Sequence, residues 1–132
     1  MQPIHNSSRW SVSKNSLLAP RKAVSKLEKA RRFAGKKQFD RAEEELKGAV
    51  AEYDRYGLAW AELGFIQLRC SRPKEAIASF QSALLAGEKT PGLYYGLAYA
   101  YVQSGQRAES AKWAGMAAKL QDGRRELESH DR

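Results

Sequence analysis

A period of 34 residues divides most of this chain into three units that follow one another without a gap, at 23–56, 57–90 and 91–124. A unit of that length cannot bury its own apolar face, so the units have to stack, and the chain is confined to a short linear array. The middle unit carries the pattern most fully, with Gly57, Trp60, Leu63, Gly64 and Gln67 in its first half and Ala76, Phe80 and Ala83 in its second. Its eighth, twentieth and twenty-seventh places are small. The same places hold Ala30, Ala42 and Ala49 in the first unit and Ala98, Ser110 and Ala117 in the third. Gly, Ala and Ser make up about a third of the chain, so nine small residues in nine such places arise by chance on the order of one time in 10⁴ or fewer.

Each unit splits into two amphipathic windows whose apolar residues fall at helical spacing, such as Trp60, Leu63 and Gln67, then Ala76, Phe80 and Ala83. Start and stop signals separate them. Gly35 and Gly105 each stand before a second helix, and Gly87 ends the helix before the last unit. Pro73 and Pro91 stand where a helix opens and a missing N–H costs nothing. The reading is all-α, with six helices in three antiparallel hairpins near 23–35, 38–51, 57–70, 73–86, 91–104 and 107–120.

Trp60, Leu63 and Gly64, followed by Ala76, Phe80 and Ala83, resemble the tetratricopeptide repeat (TPR), and the other units hold the same places with related residues. The resemblance covers about three quarters of the chain, and it implies an α-solenoid of three TPR hairpins wound as a right-handed superhelix. Departures sit mainly at the ends. Lys26 and Lys29 replace apolar residues in the first unit, Ala114 replaces a bulky one in the third, and Gln67 stands for Tyr in the second. The family's proline near the end of each unit is missing, with Asp54, Glu88 and Asp122 in its place. The domain reading is a basic arm at 1–22, the three units, and a polar tail at 125–132 that leaves any seventh helix short or absent.

Charge is distributed unevenly. Residues 1–37 contain ten basic side chains and one acid, Glu28, whereas 38–132 contain thirteen basic and fourteen acidic, within a total net charge of +8. One cysteine, Cys70, excludes an internal disulfide framework, and His5 and His130 lie at opposite ends, so neither a metal nor a cofactor is expected. No Ser/His/Asp set or Gly-rich phosphate loop is present, and a non-enzymatic protein is expected. No apolar run reaches the roughly 18–20 residues of a membrane span and no secretory core is visible near Met1, which places the protein in the cytoplasm.

Function then rests on surfaces. The resemblance implies a concave groove lined by a second stripe on each first helix, taking up a peptide or helix of a partner protein. That stripe supplies Leu27 and Arg31, then Leu58, Phe65, Leu68 and Arg69, then Tyr95, Tyr99 and Val102. Its aromatics bury a large area at low entropic cost. The matching places for the clamp that grips chaperone tails are Leu27, Arg31, Glu62, Gly92 and Gly96, and only Arg31 has the right charge, so an apolar or mixed peptide is preferred. The alternative partner is nucleic acid or another anionic surface, met by Lys22, Lys26, Lys29 and Lys36 on one face of the first helix. Trp113 and Met116, three apart on the last helix, mark a possible homodimer patch. Trp10, Leu17 and Leu18 are candidates to fold back over the first repeat or into the groove, and Glu43-Glu44-Glu45 reads as a solvated face.

Overall fold

The computed structural model describes residues 13–130, with side chains through residue 123. Among these residues the regular structure is helical: α1 (Lys14–Leu17), α2 (Arg21–Gly35), α3 (Phe39–Glu52), α4 (Gly57–Arg69), α5 (Pro73–Leu85), α6 (Pro91–Gln103) and α7 (Arg107–His130). Helices α2 with α3, α4 with α5 and α6 with α7 form three hairpins, each packed on the next.

The turn inside each hairpin is built three times in one way. Backbone N–H groups of Gln38, Arg72 and Gln106 donate to the carbonyls of Phe33, Gln67 and Tyr101 at 2.9, 2.9 and 2.8 Å. This bond closes the helix end only if the preceding residue is left-handed, and Lys37, Ser71 and Gly105 have φ of 61, 59 and 83°. Only the third turn uses glycine. Pro73 and Pro91 start α5 and α6, and the Thr90 hydroxyl accepts from the Leu93 N–H at 3.2 Å to cap α6.

All nine small residues of the eighth, twentieth and twenty-seventh places are buried. Gly64 shows why. A Cβ there would lie 2.5 Å from the Phe80 ring, so the α4–α5 crossing has no room for a methyl group. Helix α4 is buried along a further stripe, Ala59 and Ile66, because it meets α3 of the preceding hairpin as well as its own partner. Trp60 packs against the apolar clusters on both sides and ties them into one core. Gln67, in the place of a tyrosine, is satisfied in the core by the Ser79 hydroxyl at 2.6 Å.

Lys26 and Lys29 fall where α4 and α6 turn Trp60, Leu63, Tyr94 and Leu97 inward. Among the described residues no hairpin precedes them. The Lys26 stem lies along Gly48 and Lys29 is exposed, so this face of α2 carries cations instead of apolar side chains.

Three expectations change. Helix α2 begins at Arg21, and residues 13–19 ahead of it form a strap across the inter-hairpin turns. The Ser13 and Ser16 hydroxyls donate to Glu88 Oε2 at 2.7 and 2.6 Å, and Ser16 Oγ accepts from the Leu58 N–H at 3.0 Å. The Asn15 side chain donates to the Ala86 carbonyl at 3.0 Å, while the Asn15 backbone carbonyl accepts from the Tyr53 hydroxyl at 2.7 Å. Secondly, the last helix runs on to His130, and the polar tail is largely part of it. No proline interrupts residues 107–130, and the helix runs through the Asp122-Gly123 pair, with Asp122 in the family's proline place. Thirdly, Glu43 is buried at 8% exposure, paired with Arg72, while Glu44 remains solvated. Lys47 Nζ adds an ion pair to Glu43 Oε2 at 3.3 Å, outside hydrogen-bond geometry.

Candidate functional site

Phe65 and Tyr99 project from α4 and α6 on the side opposite the stripes that bury Leu63 and Leu97. They floor an open groove of about 810 Å³. Tyr95 and Leu68 complete the floor, and Arg69, Lys37 and Phe39 form one rim. The volume falls in the range of roughly 300–1,000 Å³ typical of ligand sites.

The floor is held from below. The Phe65 ring meets Phe80 edge-on at 4.9 Å, and Gly96 leaves the space both rings occupy, since a Cβ there would lie 2.8 Å from Phe80 and 2.9 Å from Phe65. Above this support the rings reach solvent: Phe65, Tyr95 and Tyr99 are 40, 42 and 55% exposed. The Tyr95 hydroxyl donates to Gln121 Oε1 at 3.1 Å, and Gln103 Nε2 donates to the Tyr99 hydroxyl at 3.0 Å. Both phenols are thus oriented without being buried.

Of the residues expected on the concave stripe, Phe65, Leu68, Arg69, Tyr95 and Tyr99 line the groove together. Leu27 does not. It is 2% exposed, because α2 turns Ala23, Leu27 and Ala30 inward at i, i+4, i+7 spacing. Leu58 is half-buried, and its N–H is taken by Ser16 of the strap. Arg31 is neutralised by Glu62, whose Oε2 lies 2.7 Å from Arg31 Nε. Val102 is exposed beside the groove without lining it.

Lys37, Phe39 and Ser71 are groove residues that the helical stripe does not contain, because they belong to turns and a helix start. The left-handed turns were the only local signal for Lys37 and Ser71. Leu17 and Leu18 do not enter the groove and are 75 and 74% exposed on the strap. Trp10 lies outside the described residues.

The other surfaces are less uniform than the sequence suggests. Lys22 is exposed but pairs with Glu52 at 3.4 Å, Lys26 is half-buried, and Lys29 and Lys36 are exposed. Trp113 is half-buried against Tyr94 at 5.6 Å between ring centroids, and Met116 is the more exposed of the pair. Among the described residues no cluster of His, Cys, Asp or Glu suits a metal ion. No described helix is long and apolar enough to cross a membrane.

No family model matches the sequence, and no curated protein matches it. Solved structures do. The second TPR domain of Spaghetti (RPAP3), bound to the HSP90 peptide SRMEEVD, superposes with a TM-score of 0.73 at 18% identity, over 76% of this chain and 93% of that one. The fold is that of the tetratricopeptide repeat. This TPR stack is similar also to SycD, the type III secretion translocator chaperone of Yersinia enterocolitica, with a TM-score of 0.74 and 15% identity over 86% of both chains. A third match is YrrB, described as a TPR protein with an unusual peptide-binding site. It has a TM-score of 0.72 and 22% identity over 76% of this chain and 52% of that one.

Proposed function

We propose that the chain is a non-enzymatic interaction module, an adaptor or chaperone-like protein, that holds a segment of a partner protein along the groove floored by Phe65, Tyr95 and Tyr99. The observation that carries this reading is three exposed aromatic rings at the bottom of one concave cavity, Phe65 braced on Phe80 and the two phenols oriented by hydrogen bonds. Exposed aromatics in a preformed cleft gain more from covering than they cost to order. The peptide named with the RPAP3 domain, the peptide site named for YrrB and the chaperone role named for SycD support the same use of this fold.

A photo-crosslinking residue at Tyr99, compared with one at the exposed Lys112 on α7, tests the proposal. Partner adducts are expected from position 99 and are lost when Tyr95→Ala is added. Identical adducts from both positions would place binding elsewhere.

A further inference from the structure

We infer that the segment held in the groove is acidic, with an Asp or Glu side chain standing beside bulky apolar residues; this rests on the groove reading above. The floor accounts for the apolar part. The rim accounts for the charge.

No residue lining the groove is Asp or Glu, while Lys37 and Arg69 are both at its edge. Neither forms an ion pair with any described acid, in contrast to Arg31 with Glu62 and Arg72 with Glu43 and Glu75. Arg69 is nevertheless held in place: its guanidinium lies over the Phe39 ring at 5.0 Å, a contact that fixes the cation without neutralising it. The partner of Arg69 is therefore an aromatic face, and its charge remains available to a ligand.

Lys37 adds an independent observation. It occupies a left-handed turn at φ 61°, where a side chain is strained, and the equivalent turn of the third hairpin uses Gly105. Ser71, the third equivalent, is also left-handed and also lines the groove. The two hairpins whose turns border the groove thus carry polar side chains in a conformation that glycine adopts without strain. Strained residues gathered at one cleft mark function. Here Lys37 and Ser71 add an ammonium and a hydroxyl to the Arg69 guanidinium, beside an aromatic floor. A basic segment would bring like charges to that edge, and a purely apolar one would leave two cations under a low-dielectric cover without counter-charges. A carboxylate next to an apolar anchor satisfies both halves of the site.

Selection from a random-peptide phage library on the immobilised full chain tests this, with Lys37→Glu and Arg69→Gln run in parallel and circular dichroism as a check of fold. Peptides enriched on the wild type are expected to carry an acid beside an aromatic or aliphatic residue. A synthetic copy of the leading peptide should bind Lys37→Glu at least about fivefold more weakly. Neutral or basic peptides, or an unchanged selection on both variants, would overturn the acidic assignment while leaving the groove in place. Enrichment that survives Tyr95→Ala/Tyr99→Ala, or no enrichment at all, would overturn the groove itself. A labelled uridylate oligomer that binds the wild type and is lost in the double tyrosine variant would overturn a protein partner.

Discussion

The ring of Phe65 stands edge-on to Phe80, with 4.9 Å between centroids and 70° between planes, so the floor of the groove rests directly on the core. Phe80 is fully buried and sits between Gly64 and Gly96. Groove shape and stack stability therefore share one set of contacts. A change beneath the floor alters both.

That relationship sets the effect of adding one methyl group. Alanine in place of glycine gains up to about 1 kcal/mol of helix propensity, but overpacking costs about 1–3 kcal/mol. At Gly64 and Gly96 the new Cβ meets Phe80 within 2.8 Å, so Gly64→Ala and Gly96→Ala are expected to lower stability by about 1–2 kcal/mol. Gly115, on the exposed face of α7, has nothing within 4 Å, and Gly115→Ala is expected to raise it by about 0.5–1 kcal/mol. Urea unfolding of the three variants checks the signs, and a stabilised Gly64→Ala would refute the crossing.

Ala83→Leu probes the repeat register in the same way. Ala83 is fully buried at the twenty-seventh place of the second unit. A drop of about 1–3 kcal/mol in stability is expected. An unchanged thermal midpoint would mean that this place does not face a helix crossing.

The strap depends on Glu88, which is 2% exposed and accepts from the Ser13 and Ser16 hydroxyls. Gly57 makes room for it: a Cβ there would fall 2.4 Å from Glu88 Cγ. Hydrogen bonds to a charged group are worth about 1.5–3 kcal/mol each, and bonds that share an acceptor add incompletely. Glu88→Ala is expected to cost about 2–3 kcal/mol and to speed amide exchange over residues 13–19. Exchange unchanged there would show that the strap is held by something else.

Glu43 couples the first hairpin to the turn of the second, and its hydrogen bond to Arg72 holds the carboxyl below its ordinary value near 4.5, against the opposing effect of burial. A depressed folded-state value means that the contribution is complete above the unfolded-state value and is lost as pH falls through the folded one. Glu43→Gln is expected to cost about 1–3 kcal/mol near neutrality, with the gap from wild type narrowing as pH falls below the ordinary value near 4.5. Denaturant midpoints of both proteins across that range measure it. A gap independent of pH would assign the effect to packing.

The left-handed turns carry a separate expectation. Ser71→Gly removes strain on the order of 1–2 kcal/mol and adds a Gly entropy cost of about 0.4–1 kcal/mol. The net expectation is a gain near 0.5 kcal/mol, read as a small rise in denaturation midpoint. A loss would show that the Ser71 side chain contributes contacts of its own.

The array was legible in the chain because its signals are local and repeated. Small residues at nine matching places, Pro73 and Pro91 at helix starts, and helical spacing of Trp60, Leu63, Phe80 and Ala83 predict three hairpins, and these are present, the last with a longer second helix. Phe65, Tyr95 and Tyr99 were also legible, since on α4 and α6 the core stripe leaves them a single exposed face. On α2 the same inference failed at Leu27. Helix α2 turns a different stripe inward, with Lys26 and Lys29 at the places where the later units turn apolar residues inward.

The sequence alone determined the period, the number of hairpins and most of the groove floor, because each follows from residues within one turn or one helix of each other. Only the tertiary structure decided what borders and braces that floor. The rim joins Lys37 and Phe39 to Arg69 across two hairpins, and the strap joins Ser13 to Glu88 across 75 residues. Such pairings have no local periodicity. They arise from the angle at which one hairpin packs on the next, and that angle is set by the summed contacts of the whole stack.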